Sequence, residues 1–238
     1  MIKVVKYVAV LLLVCAVAAV ATSLDAQNHF IRQRLVLKLG DAGGTHVGRF
    51  FEAVVGAFDG LQPVRVEVQP GLNLLLDPKD YLGRQVLISG AWQSDVWKSI
   101  SAGLTPGSVY FDVGAHIGYD TLRGSLMVGQ TGKIVAFEPN PKTLAQLRGN
   151  IAASRATNVV VEPFACGDKD ENLTLYDSTE QGNSGASSLA LANADQHSVG
   201  SLPSYTVRVR RIDDVVRELG VARLDLMKID VEGAEFMV

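Results

Sequence analysis

The sequence predicts an α/β protein built on a doubly wound, mostly parallel, Rossmann-like sheet. Short apolar runs rich in β-branched and aromatic residues alternate with segments of helical periodicity, the pattern of β-α-β units. The first such run, residues 109–113, leads through a glycine-containing turn into a helical pattern at residues 119–127. Later strands are predicted at residues 133–137, 158–162 and 224–229, with two further short strands at residues 173–176 and 206–209. The predicted core therefore occupies residues 106–238.

The composition is that of a globular protein with a hydrophobic core, and it has few features of a nucleic-acid-binding protein. Its 238 residues are 47% hydrophobic and 20% charged. The net charge is −3 and no basic block occurs, so nucleic acid is not an expected partner. The two cysteines, Cys15 and Cys166, form neither a disulfide framework nor a metal-ligand spacing.

Two segments are predicted before the core domain. Residues 25–63 form a connector, and residues 64–105 form a small α/β cap. Strict alternation at residues 64–68 and a leucine-rich run at residues 72–76 flank a Pro-Gly turn, which predicts a hairpin. Residues 84–101 predict one amphipathic helix or two short ones. No chemistry is predicted in this cap.

The turn from Asp112 to Gly118 predicts a nucleotide-type cofactor site. Glycines allow a backbone to approach a ligand closely because no Cβ stands in the way. A dinucleotide-binding turn has the spacing G-x-G-x-x-G, but His116 stands at the middle glycine position. An acid two residues before the first glycine, Gly114, suits a cofactor that presents an ammonium group. The turn therefore favours S-adenosylmethionine over a dinucleotide.

Glu138 is the second candidate cofactor residue. It lies at the carboxyl end of the second predicted core strand, 20 residues beyond Gly118. Ligands bind at that edge of a doubly wound sheet, where an acid can accept both ribose hydroxyls. An acid before a proline is also a common turn residue. Its pairing with the preceding glycine turn at this distance favours the ribose role.

The third candidate site is the acidic end of the last predicted strand, with Lys228, Asp230 and Glu232. Carboxylates clustered at a strand end can position a substrate hydroxyl or accept its proton. A divalent-ion site is a weaker alternative because no histidine or further acid cluster supports it, and no metal is predicted. Acids in the first turn of a helix also favour the helix dipole, which accounts for Glu235 but not for Asp230.

A long segment, residues 181–204, is rich in Gly, Ser and Ala and carries little charge. A structureless loop of this length inside a domain is either functional or mobile. A substrate lid and a disordered insert both stay open. His197 within it is interpreted as a solvated loop histidine rather than a base.

Three motifs, in this order and spacing, resemble the FkbM family of S-adenosylmethionine-dependent methyltransferases. They are Asp-Val-Gly-Ala-His-Ile-Gly-Tyr from Asp112, Phe-Glu-Pro-Asn-Pro from Phe137, and Lys-Ile-Asp-Val-Glu-Gly-Ala-Glu from Lys228. The resemblance covers about residues 64–238 and includes the Gly/Ser stretch at residues 185–189. It implies a class I methyltransferase fold and O-methylation of a hydroxyl on a sugar or other natural-product-like small molecule.

The resemblance also implies roles for individual positions. The implied cofactor-binding residues are Asp112, Gly114, Ala115, His116, Gly118, Glu138, Pro139, Asn140 and Asp168. The implied substrate-facing and catalytic residues are Lys228, Asp230 and Glu232. Cys166, Gly167 and Asp168 would lie near the adenine. The family often has a glutamate where Gln93 stands here, so any role of that acid is lost or altered.

The chain stops where a class I sheet would continue. That sheet has seven strands, and this sequence reaches only the fourth, which would leave an edge without a partner. We therefore expect a family member truncated after the fourth core strand, with the C-terminal strands missing. Two alternatives to an active methyltransferase stay open. One is an inactive remnant with weak cofactor binding, and the other, less favoured, is a Rossmann-type nucleotide-dependent oxidoreductase.

The amino-terminal residues 1–24 predict a signal peptide or a membrane anchor. Lys3 and Lys6 precede an uncharged apolar run at residues 7–21. The run is short for a membrane span unless it is extended at either end. We favour an anchor through residues 4–24 with a cytosolic domain, because S-adenosylmethionine is a cytosolic metabolite. Export after signal-peptide cleavage is the alternative.

Overall fold

The computed structural model describes residues 62–179, 182–187, 189 and 202–238. The predicted anchor, nearly all of the predicted connector, most of the predicted lid and His197 lie outside these residues and stay predictions. The described chain belongs to a single unit, Gly60–Val238. Within the described ranges, none of the helices combines the length and apolar character that crossing a membrane requires.

Nine strands and five α-helices form within the described ranges. In chain order they are β1 (Val64–Gln69), β2 (Leu72–Leu76), α1 (Tyr81–Ser89), α2 (Ser94–Ala102), β3 (Val109–Val113), α3 (Tyr119–Val128), β4 (Lys133–Phe137), α4 (Pro141–Ser154), β5 (Val159–Glu162), β6 (Ala165–Cys166), β7 (Glu171–Tyr176), β8 (Ser204–Arg210), α5 (Ile212–Glu218) and β9 (Leu226–Ile229). Short 3-10 turns lie at Ser184–Ala186, between β7 and β8, and at Glu235–Met237, after β9.

The central sheet has the order β5-β4-β3-β9, and all of its strand pairs are parallel. β3 is therefore an inner strand, and the winding reverses direction beside it. This order confirms the predicted doubly wound parallel core. Ligands bind in such sheets beyond the carboxyl ends of the strands, at the position where the winding reverses.

Both faces of the central sheet are buried, as parallel sheets require. Tyr110 and Ile134 pack on one face with Ile100 and Val128 from the helices α2 and α3. Side chains from β3 and β4 pack on the opposite face with Val215 of α5. Successive residues of a strand point to opposite faces, so continuous apolar runs supply both layers.

The cap consists of the β1–β2 hairpin followed by two helices. Asn150 of α4 fastens the hairpin to the core: its side-chain oxygen accepts from Leu75 N at 2.8 Å, and its amide donates to the Ile117 carbonyl at 2.8 Å. The predicted helical segment at residues 84–101 is divided into α1 and α2. Gly90 and Gln93, both left-handed, separate them.

The remaining strands form a second sheet of order β6-β8-β7. β8 runs antiparallel to β7 and parallel to β6. The sequence predicted strands near residues 173–176 and 206–209 but did not separate them from the core sheet. Strand periodicity indicates that a segment is a strand and leaves open which partner it pairs with.

Candidate cofactor and acceptor site

A cavity of about 310 Å³ lies where the parallel strands β3, β4 and β9 end. Its size is in the range of small-molecule sites. The predicted site residues that line it are Gly114, Ala115, His116, Glu138, Pro139, Asn140, Lys228, Asp230 and Glu232. Residues from α1, the α1–α2 connection and the segment 183–187 also contribute. The fold thus brings most of the predicted residues to one place.

Glu138 presents a pre-oriented carboxylate to this cavity. One oxygen, Oε2, accepts from His116 N at 2.8 Å, and the other, Oε1, accepts from Asn140 N at 2.8 Å. Each carboxylate oxygen has a second lone-pair direction, so two further donors can be accepted side by side. Burial raises the pKa of Glu138 to about 7, although the two backbone N–H groups oppose the rise.

The glycine turn has three residues in left-handed backbone conformation: Gly114, His116 and Gly118. A Cβ on Gly114 would lie 1.9 Å from the carbonyl oxygen of Asp230, and one on Gly118 would lie 2.6 Å from a methyl carbon of Leu147. Sequence reasoning assigned these glycines to ligand approach. The atoms that a Cβ would meet belong to the protein, so both glycines also permit close packing of the chain against itself.

Replacing Gly114 by alanine is expected to lower the free energy of unfolding by about 3 kcal/mol or more. The Cβ would meet a backbone carbonyl at 1.9 Å, and the φ of +79° disfavours any side chain. Urea unfolding measures the change. Gly149→Ala is the matched control, because that α4 position has open space and alanine favours a helix by about 1 kcal/mol. Equal stability of both variants would contradict the close-packing role.

Lys228 is the centre of a buried charge cluster. Its ammonium lies 3.3 Å from Asp112, 3.4 Å from Asp230 and 4.0 Å from Asp120. Burial lowers the pKa of Lys228, but the carboxylates of Asp112, Asp230 and Asp120 outweigh burial and raise it. Lys228 therefore stays protonated and acts as a fixed charge. Three carboxyl groups therefore share this one ammonium.

Asp112 has its partners within the protein. Its side chain is fully buried and accepts from Thr121 Oγ1 at 2.5 Å as well as from Lys228 Nζ. Sequence reasoning paired Asp112 with the ammonium of a cofactor, whereas the ammonium beside it in this structure is that of Lys228. Asp120 and Asp230 are the carboxylates of this cluster that line the cavity.

Asp120 was missed by sequence reasoning. It lies in the first turn of α3, where an acid is adequately explained by the helix dipole. Burial and the neighbouring Asp112 carboxylate raise the pKa of Asp120 to about 6. Its position just after Gly118, the last glycine of the turn, is the signal that could have identified it.

A hydrogen-bonded chain from Asp80 through Ser184 to His116 was also missed. Ser184 Oγ lies 2.6 Å from Asp80 Oδ2 and 2.6 Å from His116 Nε2. A carboxylate only accepts, so the serine hydroxyl donates to Asp80 and Nε2–H donates to the serine. Burial lowers the pKa of His116, which favours the neutral imidazole. No local sequence pattern could have identified these linked hydrogen bonds, since the three residues are far apart in sequence.

Two residues predicted near an adenine are placed differently from each other. Cys166 lines the cavity, and burial raises the pKa of its thiol to about 12. Asp168 does not reach the cavity: its side chain is 64% exposed and lies 3.9 Å from Lys169. The turn that carries it leaves β6 toward β7 of the second sheet and directs it away from the site.

The parallel order of the central sheet and a site at its carboxyl edge define a class I, Rossmann-like α/β protein. The model of the Methyltransferase FkbM domain matches residues 112–238, more than half of the chain. The chain therefore belongs to the FkbM methyltransferase family. Asp80 and the rest of the cap precede the matched residues.

Curated relatives agree with this assignment. The chain is 31% identical to the 31-O-demethyl-FK506 methyltransferase FkbM of Streptomyces tacrolimicus, over 56% of this chain and 58% of that protein. It is 27% identical to the 2-O-methyltransferase NoeI of Sinorhizobium fredii, over 55% of each. It is 28% identical to the AMB antimetabolite synthetase AmbE of Pseudomonas aeruginosa, over 71% of this chain and 9% of that protein. The matched part thus spans little more than half of the first two relatives and a small part of the third.

Solved structures resemble smaller parts of the chain. A SAM-dependent methyltransferase from Aquifex aeolicus is 26% identical over 36% of this chain and 43% of its own, with a TM-score of 0.27. Trm5b from Pyrococcus abyssi is 21% identical over 43% of this chain and 28% of its own, with a TM-score of 0.32.

Proposed function

We propose that this protein is an S-adenosylmethionine-dependent methyltransferase that acts on a hydroxyl group of a small molecule, a sugar or another natural-product-like compound. The observation that carries the proposal is the Glu138 carboxylate, held by two backbone N–H groups where β4 ends. An acid at this place in a doubly wound sheet is suited to accept both hydroxyls of a ribose. Membership of the FkbM methyltransferase family supports the same reaction class.

The residues that line the cavity fit this cofactor in three respects. Glu138 offers two free lone-pair directions for the ribose. Asp120 and Asp230 offer negative charge for a ligand that carries both an ammonium and a sulfonium cation. Phe164 and Leu175 offer apolar surface for an adenine. The cationic part, the ribose hydroxyls and the adenine of S-adenosylmethionine would therefore each contact different side chains of the cavity.

S-adenosylmethionine supplies an electrophilic methyl group on sulfur when it is bound. The protein contributes mainly by holding both reactants in line, which removes much of the entropic barrier. Asp230 is suited to orient an acceptor hydroxyl, because its side chain is 43% exposed while Lys228 holds it at 3.4 Å. Burial and the neighbouring Asp230 raise the pKa of Glu232, which makes its carboxylate a better proton acceptor.

The rim of the cavity favours an acceptor with an apolar face. Tyr81 and Trp92 both line it, and their rings meet edge to face with centroids 5.5 Å apart. Aromatic rings of this kind offer a hydrophobic surface beside polar groups. A sugar ring presents hydroxyls on its rim and C–H groups on its face. The names of two relatives, a 31-O-demethyl-FK506 methyltransferase and a 2-O-methyltransferase, support a hydroxyl as the acceptor.

Calorimetric titration of the full chain with S-adenosylhomocysteine tests the proposal, with NADH as the control ligand. We expect micromolar binding of S-adenosylhomocysteine and no heat with NADH, because His116 replaces the middle glycine of a dinucleotide-binding turn. A folded chain that fails to bind S-adenosylhomocysteine would overturn the proposal. Binding of NADH alone would support the nucleotide-dependent oxidoreductase instead.

A further inference from the structure

The segment Gly182–Ser187, which we call the serine segment, contacts both residues that hold Glu138. His116 and Asn140 each give one backbone N–H to that carboxylate. The side chain of His116 bonds Ser184 Oγ at 2.6 Å, and the side chain of Asn140 donates to Ser187 Oγ at 3.4 Å. Two serines of one segment thus lie directly behind the two donors that orient Glu138.

The Ser184 contact is fixed from the cap. Asp80 Oδ2 accepts from Ser184 N at 2.8 Å and from Ser184 Oγ at 2.6 Å. Asp80 Oδ1 caps α1 by accepting from the backbone of Leu82 and Gly83. Because its two oxygens bind a helix end and the serine segment, Asp80 holds Ser184 in a defined place. Ser184 itself is buried.

The Ser187 contact is fixed just after β7, where Ser178 N donates to Ser187 Oγ at 3.2 Å. Asp177 is fully buried and accepts from Asn140 Nδ2 at 3.0 Å and from Thr179 N at 3.0 Å. Burial raises the pKa of Asp177, but hydrogen bonds from Thr179, Lys142 and Asn140 outweigh it and lower the pKa. Ser187 Oγ donates to the Ser184 carbonyl at 2.9 Å. The two serines therefore form one connected support.

His116 gives this support a physical reason. It has a φ of +52°, a left-handed conformation that costs a non-glycine residue about 1 kcal/mol or more. Such a conformation persists only where surrounding contacts hold it. The imidazole bond to Ser184 is one contact of this kind, and it fixes the direction of the His116 N–H toward Glu138.

We propose that Ser184 and Ser187 are positioning residues that set the affinity for the cofactor's ribose. They act through His116 and Asn140 on the orientation of the Glu138 carboxylate. The inference rests on the proposed function, because it takes the ligand of Glu138 to be a ribose. It assigns a binding role to a Gly/Ser segment that has no ionisable side chain of its own.

The test compares two ligands that differ only at the ribose hydroxyls, S-adenosylhomocysteine and its 2′,3′-dideoxy analogue. Calorimetry on the full chain measures both for the wild type and for the double variant Ser184→Ala/Ser187→Ala. We expect the double variant to weaken S-adenosylhomocysteine about tenfold and the dideoxy analogue less than about twofold. A misoriented carboxylate matters only to a ligand that donates hydroxyls to it.

Three further variants serve as a control for non-specific effects, a conservative replacement and a fallback in case the double variant does not fold. Ser99→Ala removes an exposed α2 hydroxyl that donates to the Asp95 carbonyl of its own helix, and should change neither affinity. Ser184→Thr keeps the hydroxyl, so its ratio of affinities for S-adenosylhomocysteine and the dideoxy analogue should stay close to that of the wild type. If the double variant does not fold, Ser187→Ala alone supplies the comparison. Because the hydrogen bond from Asn140 to Ser187 is long, at 3.4 Å, its loss should be a smaller perturbation. We then expect about threefold weaker binding of S-adenosylhomocysteine and unchanged binding of the dideoxy analogue.

The outcomes separate this inference from the proposed function. Suppose that the wild type binds S-adenosylhomocysteine more tightly than the dideoxy analogue. If the double variant then binds both ligands more weakly by the same factor, or neither more weakly, the positioning role is wrong. Wild-type binding that ignores the ribose hydroxyls would overturn the ribose role of Glu138 and the inference with it. Absence of any S-adenosylhomocysteine binding would overturn the proposed function itself.

Discussion

Glu138→Gln is expected to weaken S-adenosylhomocysteine binding about 100-fold at pH 8 and to remove a step near pH 7 from the pH dependence of affinity. The side-chain NH2 of glutamine would face a backbone N–H, either that of His116 or that of Asn140, so two donors would meet. The variant would also lose one of the two oxygens that accept a hydrogen bond from a ribose hydroxyl. Hydrogen bonds to a charged group contribute about 1.5–3 kcal/mol each. Losing one and misaligning the other accounts for about 100-fold.

The sign of the pH effect follows from which protonation state binds. Ribose hydroxyls donate to lone pairs of the ionised carboxylate, so the ligand favours the deprotonated form. Burial places the pKa of Glu138 at about 7 in the free protein, and binding should lower it. Affinity is therefore constant above about pH 8 and falls by up to about tenfold per pH unit below 7. One proton should be released per ligand bound in that lower range.

Calorimetry between pH 6 and pH 8, in buffers of different ionisation heat, counts the protons released. Glu138→Gln should leave only the weaker step near pH 6 that Asp120 contributes. Glu171→Gln, an exposed acid of β7, is the control and should keep the wild-type profile. A flat wild-type profile across this range would contradict the assignment of Glu138.

The core of the fold could be predicted because its residues alternate between two clear patterns. The strands β3 and β4 are mostly apolar and almost wholly buried, and β4 and the half-buried edge strand β9 are each followed directly by an acid. Parallel strands present those ends at one edge, so the sequence order placed Glu138 and Asp230 at a common site. The structure brings both to the same cavity.

The remainder of the site depends on contacts between distant segments, which local patterns do not carry. Asp80 and Ser184 are 104 residues apart, and the sequence around neither of them indicates the other as its hydrogen-bond partner. The role of Gly114 beside the Asp230 carbonyl needs the strand pairing of β3 with β9 before it can be recognised. Asp168 shows the reverse case, since the family resemblance implied a place near the adenine, whereas its turn after β6 does not reach the cavity.

Asp112→Asn is expected to lower the free energy of unfolding by about 3 kcal/mol. We expect this loss of stability to be its main effect, and not the loss of a direct contact with the ligand. It removes the nearest carboxylate from a Lys228 ammonium whose side chain is only 11% exposed. A buried charge that loses its partner costs about 3–5 kcal/mol. Asp230 and Asp120 remain within 4.0 Å and keep the loss at the lower end. The sequence alone assigned Asp112 to cofactor binding.

A double-mutant cycle with Lys228→Met separates the two explanations. Lys228→Met should also destabilise, since it leaves Asp112 and Asp120 buried without a cation. The double variant should cost at least about 1 kcal/mol less than the sum of the single variants, because neither partner is then left charged and unpaired. Urea unfolding measures all three, and Arg208→Met, which breaks an exposed pair with Asp170, should leave the midpoint unchanged.

Additive costs in that cycle would show that Asp112 and Lys228 do not stabilise one another. A stable Asp112→Asn variant that no longer binds S-adenosylhomocysteine would show that the carboxylate serves the ligand directly, as the sequence suggested. Under the geometry observed here, loss of binding should instead follow loss of folding. The Asp112–Lys228 pair supports the place where β3 and β9 end side by side, and the cavity is built on those two ends.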